Sequence, residues 1–281
     1  MTSLLIIGVG FMGGSFALAL RRGGFEGSIY GIDIKQETIE RAKAMGVIEE
    51  GGTDLHLVEK LSPRFVVLAS PVRTFRSIGR ALREYIDRET VITDLGSVKG
   101  RLVFELEDIL GDRFVGSHPI AGTEKSGVEH SFGELFEGKK VVITPTERTD
   151  REALDEVVGL WKLTGGKVEF MDPMLHDWVF GAVSHLPHAV AFALIDALIE
   201  MSDEVDLFKY PGAGFKDFTR IAGSDPVMWR DIFLENKENV LKAIDVYSQS
   251  LKRLGDLIEN EDEEALTEYL REAKQRRLSL E

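Results

Sequence analysis

The run Gly8-Val9-Gly10-Phe11-Met12-Gly13 directly follows the apolar stretch Leu4 to Gly8, and Asp33 closes the next β-branched stretch about 20 residues past Gly13. The pattern demands a strand, a turn tight enough to need glycine, and a helix whose N-terminus faces that turn. The helix end holds a pyrophosphate through free N–H groups and its dipole, and an acid ending the second strand accepts hydrogen bonds from adenosine ribose hydroxyls. Gly8, Gly10, Phe11, Met12, Gly13 and Asp33 are therefore assigned to a dinucleotide. Ser70 and Pro71, where the stretch Phe65 to Ser70 ends, join them. Asp33 repels a 2′-phosphate, which favours NAD over NADP; Lys35 is the nearby charge that acts the other way.

The same rhythm continues along the chain. Further β-branched runs occupy Ser28 to Asp33, Thr90 to Leu95, Arg113 to Ser117 and Val141 to Pro145, and Lys35 to Gly46 and Thr74 to Ile86 space apolar residues three and four apart. This alternation predicts an α/β fold with a Rossmann-type parallel sheet covered on both faces. Thr149-Asp150-Arg151-Glu152 has the form of a capping box, so a helix is expected from there to Thr164, before Gly165-Gly166. Past Asp172 the period-two runs stop. Met174 to Ser184, Pro187 to Met201, Val227 to Gly255 and Asp262 to Leu278 read as helices, punctuated by Tyr210-Pro211-Gly212-Ala213-Gly214. The expected division is a NAD-binding domain over 1–172 and an all-helical substrate-binding and dimerisation domain over 173–281. Val190, Phe192, Leu194 and Ile195 make one helix apolar on nearly all sides, so a second copy of the chain is expected to cover it.

Composition narrows the function classes. Against 48 acidic side chains stand 34 basic ones, a net charge of −14, which suits nucleic acid poorly because that affinity rests on Lys and Arg. Cysteine is absent, which excludes disulfides and thiolate metal sites. Met1 to Leu20 is uncharged and ends in Ala17-Leu18-Ala19 like a secretory leader, but it lacks a basic start and glycines interrupt it. No run is expected to supply the roughly 20 apolar residues of a membrane span, since His188 and Asp196 break Leu186 to Ile199. The expectation is a cytoplasmic protein with neither nucleic acid nor membrane as partner.

Two motifs carry chemistry. Thr93-Asp94-Leu95-Gly96-Ser97-Val98-Lys99 ends a strand and begins a helix, which puts Ser97 outside the carboxyl edge of the sheet, where ligands of such sheets sit. An ordinary helix-capping serine explains it equally. His118, in Gly116-Ser117-His118-Pro119-Ile120-Ala121-Gly122, falls at the same edge. An imidazole titrating near about 6.5 can take a proton from an alcohol while hydride leaves the same carbon.

These two motifs, the glycine fingerprint and the later Ser184-His185-Leu186-Pro187-His188 together resemble the prephenate dehydrogenase family, in the same order along nearly the whole chain. The resemblance implies an oxidoreductase of aromatic amino-acid, specifically tyrosine, biosynthesis. It implies NAD-dependent oxidation at C4 of prephenate or arogenate, with loss of carbon dioxide and aromatisation, in a homodimer. It makes His118 the base and sets Ser97 beside it, orienting the imidazole and the nicotinamide. His188 becomes a substrate-positioning residue, Ser184 lines the same cleft, and His185 is structural. Two imidazoles with no third ligand in pattern argue against a metal at His185 and His188. Gly214-Phe215-Lys216-Asp217-Phe218-Thr219-Arg220 resembles an anion-binding segment, in which Arg220 grips a carboxylate with its planar fork. Asp217 either holds Arg220 or closes the cleft with Lys216, and Glu124 joins that ionic network as a gate. Trp229 resembles the residue that family dimers insert from the neighbouring subunit, with plain interface packing as the alternative.

No further domain follows the helices in this sequence, so feedback by tyrosine is expected to be competitive, through Arg220 and His188. A β-hydroxyacid dehydrogenase would need a catalytic lysine in a helical motif that does not occur here. A nonenzymatic NAD-binding redox sensor would need neither His118 nor Arg220.

Overall fold

Runs of Val, Ile and Leu make strands that are buried on both faces, and in the central strands every side chain is inside. The computed structural model describes residues 2–123, 125–202 and 205–280. Its first part runs β1 (Ser3–Ile7), α1 (Phe11–Arg22), β2 (Ser28–Ile32), α2 (Gln36–Ala44), β3 (Glu50–Gly52), α3 (Leu57–Leu61) and β4 (Phe65–Leu68). It continues with α4 (Phe75–Leu82), β5 (Val91–Asp94), α5 (Gly100–Leu110), β6 (Phe114–Pro119), β7 (Lys140–Thr144), α6 (Arg151–Leu163) and β8 (Lys167–Phe170). The strands form one sheet in the order β3-β2-β1-β4-β5-β6-β7-β8. The direction of winding reverses between β1 and β4, which opens a crevice at their carboxyl ends.

The sheet departs from the all-parallel order that the alternation predicts. β7 runs antiparallel to β6, pairing His118 with Val142, and β8 is parallel to β7. A parallel return needs a crossover, usually helical. Among the described residues, the segment between β6 and β7 has only the short turn Val128–His130, and it packs on α1, where Ser131 Oγ donates to Phe11 O at 3.1 Å and Phe132 N to Ser15 Oγ at 3.2 Å. The side chain that caps α6 is Asp150, accepting from Ala153 N at 2.9 Å, so the expected capping box sits one residue out of register.

The second part is helical: α7 (Pro173–Phe180), a π turn (Gly181–His185), α8 (Leu186–Glu200), α9 (Ala213–Thr219), α10 (Pro226–Glu235), α11 (Lys237–Glu259) and α12 (Glu263–Leu278). Val227 to Gly255, expected as one helix, is broken at Asn236. From Pro173 to Glu200 the chain is long and apolar enough to cross a membrane by length and composition, which corrects the expectation that no segment qualifies. On one face of the sheet Trp161 and Phe16 anchor the core. On the other, Phe75, Leu102 and Phe114 pack with Trp229 and Ile232 of α10, which docks the helical part beside the carboxyl edge of β5 and β6.

Candidate active site

The turn after β1 is built for close approach. Gly8 has φ +97°, and a Cβ there would lie 2.6 Å from Ser70 N, so only glycine lets the ends of β1 and β4 meet. A Cβ on Gly13 would collide with Gly8 O, whereas one on Gly10 would meet open space. No side chain caps the N-terminus of α1, so its first N–H groups remain available to an anion. Asp33 stands beside this turn and accepts from Val9 N at 3.1 Å and from Lys35 N at 3.0 Å. A loop pinned in this way, with an uncapped helix end in front of it, fits the pyrophosphate and ribose of a dinucleotide. Phe11 and Met12 open α1, and Pro71 follows Ser70, whose Oγ is 2.8 Å from Thr74 Oγ1.

Three strand spacings away, about 14 Å, β6 carries His118 as its next-to-last residue. Its backbone is fixed from β5. Ser117 N donates to Asp94 Oδ1 at 3.1 Å, Ser117 Oγ to Asp94 O at 2.6 Å, and Trp161 Nε1 to Ser117 Oγ at 3.0 Å. Asp94 also receives the Lys99 ammonium, and both side chains are 1% exposed. Burial raises the Asp94 carboxyl, an effect that Lys99 opposes.

The His118 ring reaches back into the helical part. Its Nδ1 lies 2.8 Å from His176 Nε2, and His176 Nδ1 lies 2.9 Å from Asp177 Oδ1. Phe180 closes over both imidazoles, with ring centroids 5.0 Å from His118 and 4.5 Å from His176. Asp177 Oδ1 also accepts from Lys99 N at 2.7 Å, so the N-terminus of α5 is capped from α7 and not by Ser97. Burial, with His176 and Lys99 adding to it, holds His118 well below its ordinary range. Burial first, then Lys99 and His185, takes His176 down to about 2. Burial lifts Asp177 to about 6.

Ser97 is half-buried in the loop before α5, and its side chain makes no hydrogen bond among the described residues. The expectation that it orients His118 is corrected: that contact comes from His176. His188 Nδ1 donates to Ser184 O at 2.9 Å, and its ring stacks on Trp229 at 3.6 Å with a 20° tilt. Burial lowers His188, and the charge of Arg220 adds to the effect, so the two share one neighbourhood. Trp229 is 6% exposed within its own chain, and its Nε1 has no partner among the described residues. His185 is buried and accepts from Asn236 Nδ2 at 3.1 Å, in keeping with a structural role. Lys216 and Asp217 are exposed on α9, with Arg220 just beyond it. Glu124 lies outside the described residues.

Sequence reading missed His176, Asp177 and Phe180. The available signal was a His-Asp pair with an aromatic residue four positions after the histidine, on a helix opened by Asp172 and Pro173.

A doubly wound sheet with a glycine turn, joined to helices that enclose a buried imidazole, defines a dinucleotide-binding protein of the dehydrogenase type. Residues 16–170 match the prephenate dehydrogenase nucleotide-binding domain, and residues 172–272 its dimerization domain. The chain belongs to the prephenate dehydrogenase family. It is 61% identical to the prephenate dehydrogenase of A. aeolicus solved with hydroxyphenyl propionate and NAD+, with a TM-score of 0.96 over 100% of this chain and 99% of that one. The prephenate dehydrogenase of Bacillus subtilis (strain 168) is 36% identical, over 97% of this chain and 74% of its own. Synechocystis arogenate dehydrogenase is 29% identical, with a TM-score of 0.82 over the whole of both chains.

Proposed function

We propose that this chain catalyses the NAD-dependent oxidative decarboxylation of prephenate to 4-hydroxyphenylpyruvate. The observation that carries the reading is the 61% identity, end to end, with a prephenate dehydrogenase solved with NAD+ and an aromatic acid. Arogenate is the second reading, favoured by the likeness to an arogenate dehydrogenase and to the cyclohexadienyl dehydrogenase of Zymomonas mobilis, 32% identical over 99% of this chain.

Gly8, Gly10, Phe11, Met12, Gly13, Asp33, Ser70 and Pro71 would hold NAD, which, when bound, accepts the hydride. His118 Nε2 takes the proton of the 4-hydroxyl as hydride leaves C4. The ring carboxylate then departs as carbon dioxide, its electron pair completes the aromatic ring, and the phenolate recovers the proton. Neutral His118 suits this role because burial keeps it in the base form. Arg220 and His188 hold the acid side chain, Trp229 offers its unpartnered N–H to the same ligand, and Ser97, Ser184, Lys216, Asp217 and Glu124 line or gate the cleft. Tyrosine shares that acid tail and competes there.

The division into 1–172 and 173–281, a cytoplasmic setting and a homodimer belong to the same reading. The exposed apolar side chains of α8 and α11, including Ile199, Leu241 and Val246, support a second copy as the cover for these helices. The test is NADH absorbance with prephenate and, separately, arogenate. Turnover of prephenate is expected, and His118→Asn should lower kcat by on the order of 10² to 10⁴ with KM nearly unchanged. No NADH from either compound would sink the reading.

A further inference from the structure

Asp177 does two things at once. It caps the helix that begins at Gly100, and it ends a hydrogen-bonded chain that starts at His118. An ionised carboxylate only accepts, so His176 must carry its proton on Nδ1, facing Asp177. A neutral His176 then has a lone pair on Nε2, which can only accept, so His118 must carry its proton on Nδ1. That leaves the lone pair of His118 on Nε2, the nitrogen with no partner among the described residues.

We propose that His176 and Asp177 are positioning residues for the oxidation: together they fix the tautomer and orientation of His118, so that Nε2 is the base while Asp177 is ionised. This rests on the proposed reading of His118 and goes beyond it, since neither residue need touch substrate or cofactor. Several features favour the arrangement. The Lys99 N–H and ammonium, together with the N-terminus of α5, favour the ionised form of Asp177. Phe180 packs on both rings. The charged and titratable groups facing the chain are Lys99 from α5 with its partner Asp94 on β5, and His185 from the π turn. Since burial disfavours an imidazolium at either ring and lifts Asp177 to about 6, the carboxylate is also the cheapest place for a proton handed back along the chain. Protonated Asp177 turns donor, which reverses both tautomers and puts the His118 proton on Nε2. The base is then lost without His118 ever becoming charged.

The experiment combines two measurements on the whole protein. In ¹⁵N-histidine NMR at neutral pH, His118 and His176 should both carry their protons on Nδ1. A His118 proton on Nε2 would overturn the proposal whatever the substrate proves to be. In steady-state kinetics with prephenate, His176→Phe keeps the aromatic packing and removes both nitrogens, whereas His176→Gln keeps an amide oxygen able to accept from His118 Nδ1. The phenylalanine variant should lose about a hundredfold in kcat with KM nearly unchanged, and glutamine should restore about tenfold of it. Asp177→Asn should lower kcat similarly and remove the acid limb of its pH profile near pH 6. If phenylalanine matches the wild type, or serves better than glutamine, His176 is packing alone and the inference fails. Wild-type turnover separates this failure from failure of the substrate assignment, which the NMR result does not need.

Discussion

An ammonium that is 1% exposed must have a counter-charge, and Lys99 has Asp94. The pair does more than neutralise itself. Asp94 also accepts from Gly96 N and Ser117 N, so it ties the start of the α5 loop to the residue before His118, and the positive charge of Lys99 helps keep His118 and His176 neutral. Deleting one member strands the other in the core, a cost of about 3–5 kcal/mol, whereas deleting both removes the conflict. Lys99→Met should therefore destabilise the protein by about that amount in urea unfolding, and Lys99→Met with Asp94→Asn by clearly less. Equal losses would mean that the pair contributes nothing as a pair. The sequence revealed His118 because its position at a strand end is a local property. It did not reveal His176, because only the docking of α7 against β6 brings together two residues 58 positions apart.

Among the elements, strands written in Val, Ile and Leu were legible and edge strands were not. β3 is Glu-Gly-Gly and β8 is mostly exposed, so neither shows the apolar run or clean alternation that marks a strand. The break between α10 and α11 was hidden for another reason. Asn236 ends one helix through side-chain bonds to distant residues, Nδ2 donating to Asp177 O at 2.7 Å and to His185 Nδ1 at 3.1 Å. No propensity in Val227 to Gly255 announces that contact. Asn236→Ala would leave a buried carbonyl and a buried ring nitrogen without their donor, at about 1–3 kcal/mol each. A loss of about 2–4 kcal/mol in stability is expected, with kcat falling more than KM rises, because Asp177 is held partly through its own carbonyl. An unchanged urea midpoint would show that the junction is held by α10 packing on the sheet.

At the scale of the molecule, the helical part presents apolar side chains outward while it holds its histidines inward. The first property goes with an apolar segment, Pro173 to Glu200, that passes for a membrane span by length and composition and is mostly unburied within the chain. The second sets the response to acid. His118, His176 and His185 are all held below their ordinary 6.5, the last two at about 2 and about 4, while an unfolded chain protonates them freely below that pH. Between about pH 4 and 6 the unfolded state thus binds three protons that the folded state refuses, and stability falls as pH drops. Asp177 acts in the opposite sense: raised from 3.8 to about 6, it takes up one proton in the folded state that the unfolded state refuses. His188, also lowered, and Asp94, also raised, act in opposite senses, so about two protons remain, and at about 1.4 kcal/mol per proton the slope is about 3 kcal/mol per pH unit near pH 5. Urea unfolding at pH 7, 6 and 5, at one fixed protein concentration so that self-association does not vary, should show a loss of about 2 kcal/mol in the first step and about 3 kcal/mol in the second. His185→Gln removes one of the three protons and should make the pH dependence shallower by about 1.4 kcal/mol per unit. A flat profile from pH 6 to 5 would mean that the buried imidazoles take up protons in the native state, and that they are not the neutral base and relay described above.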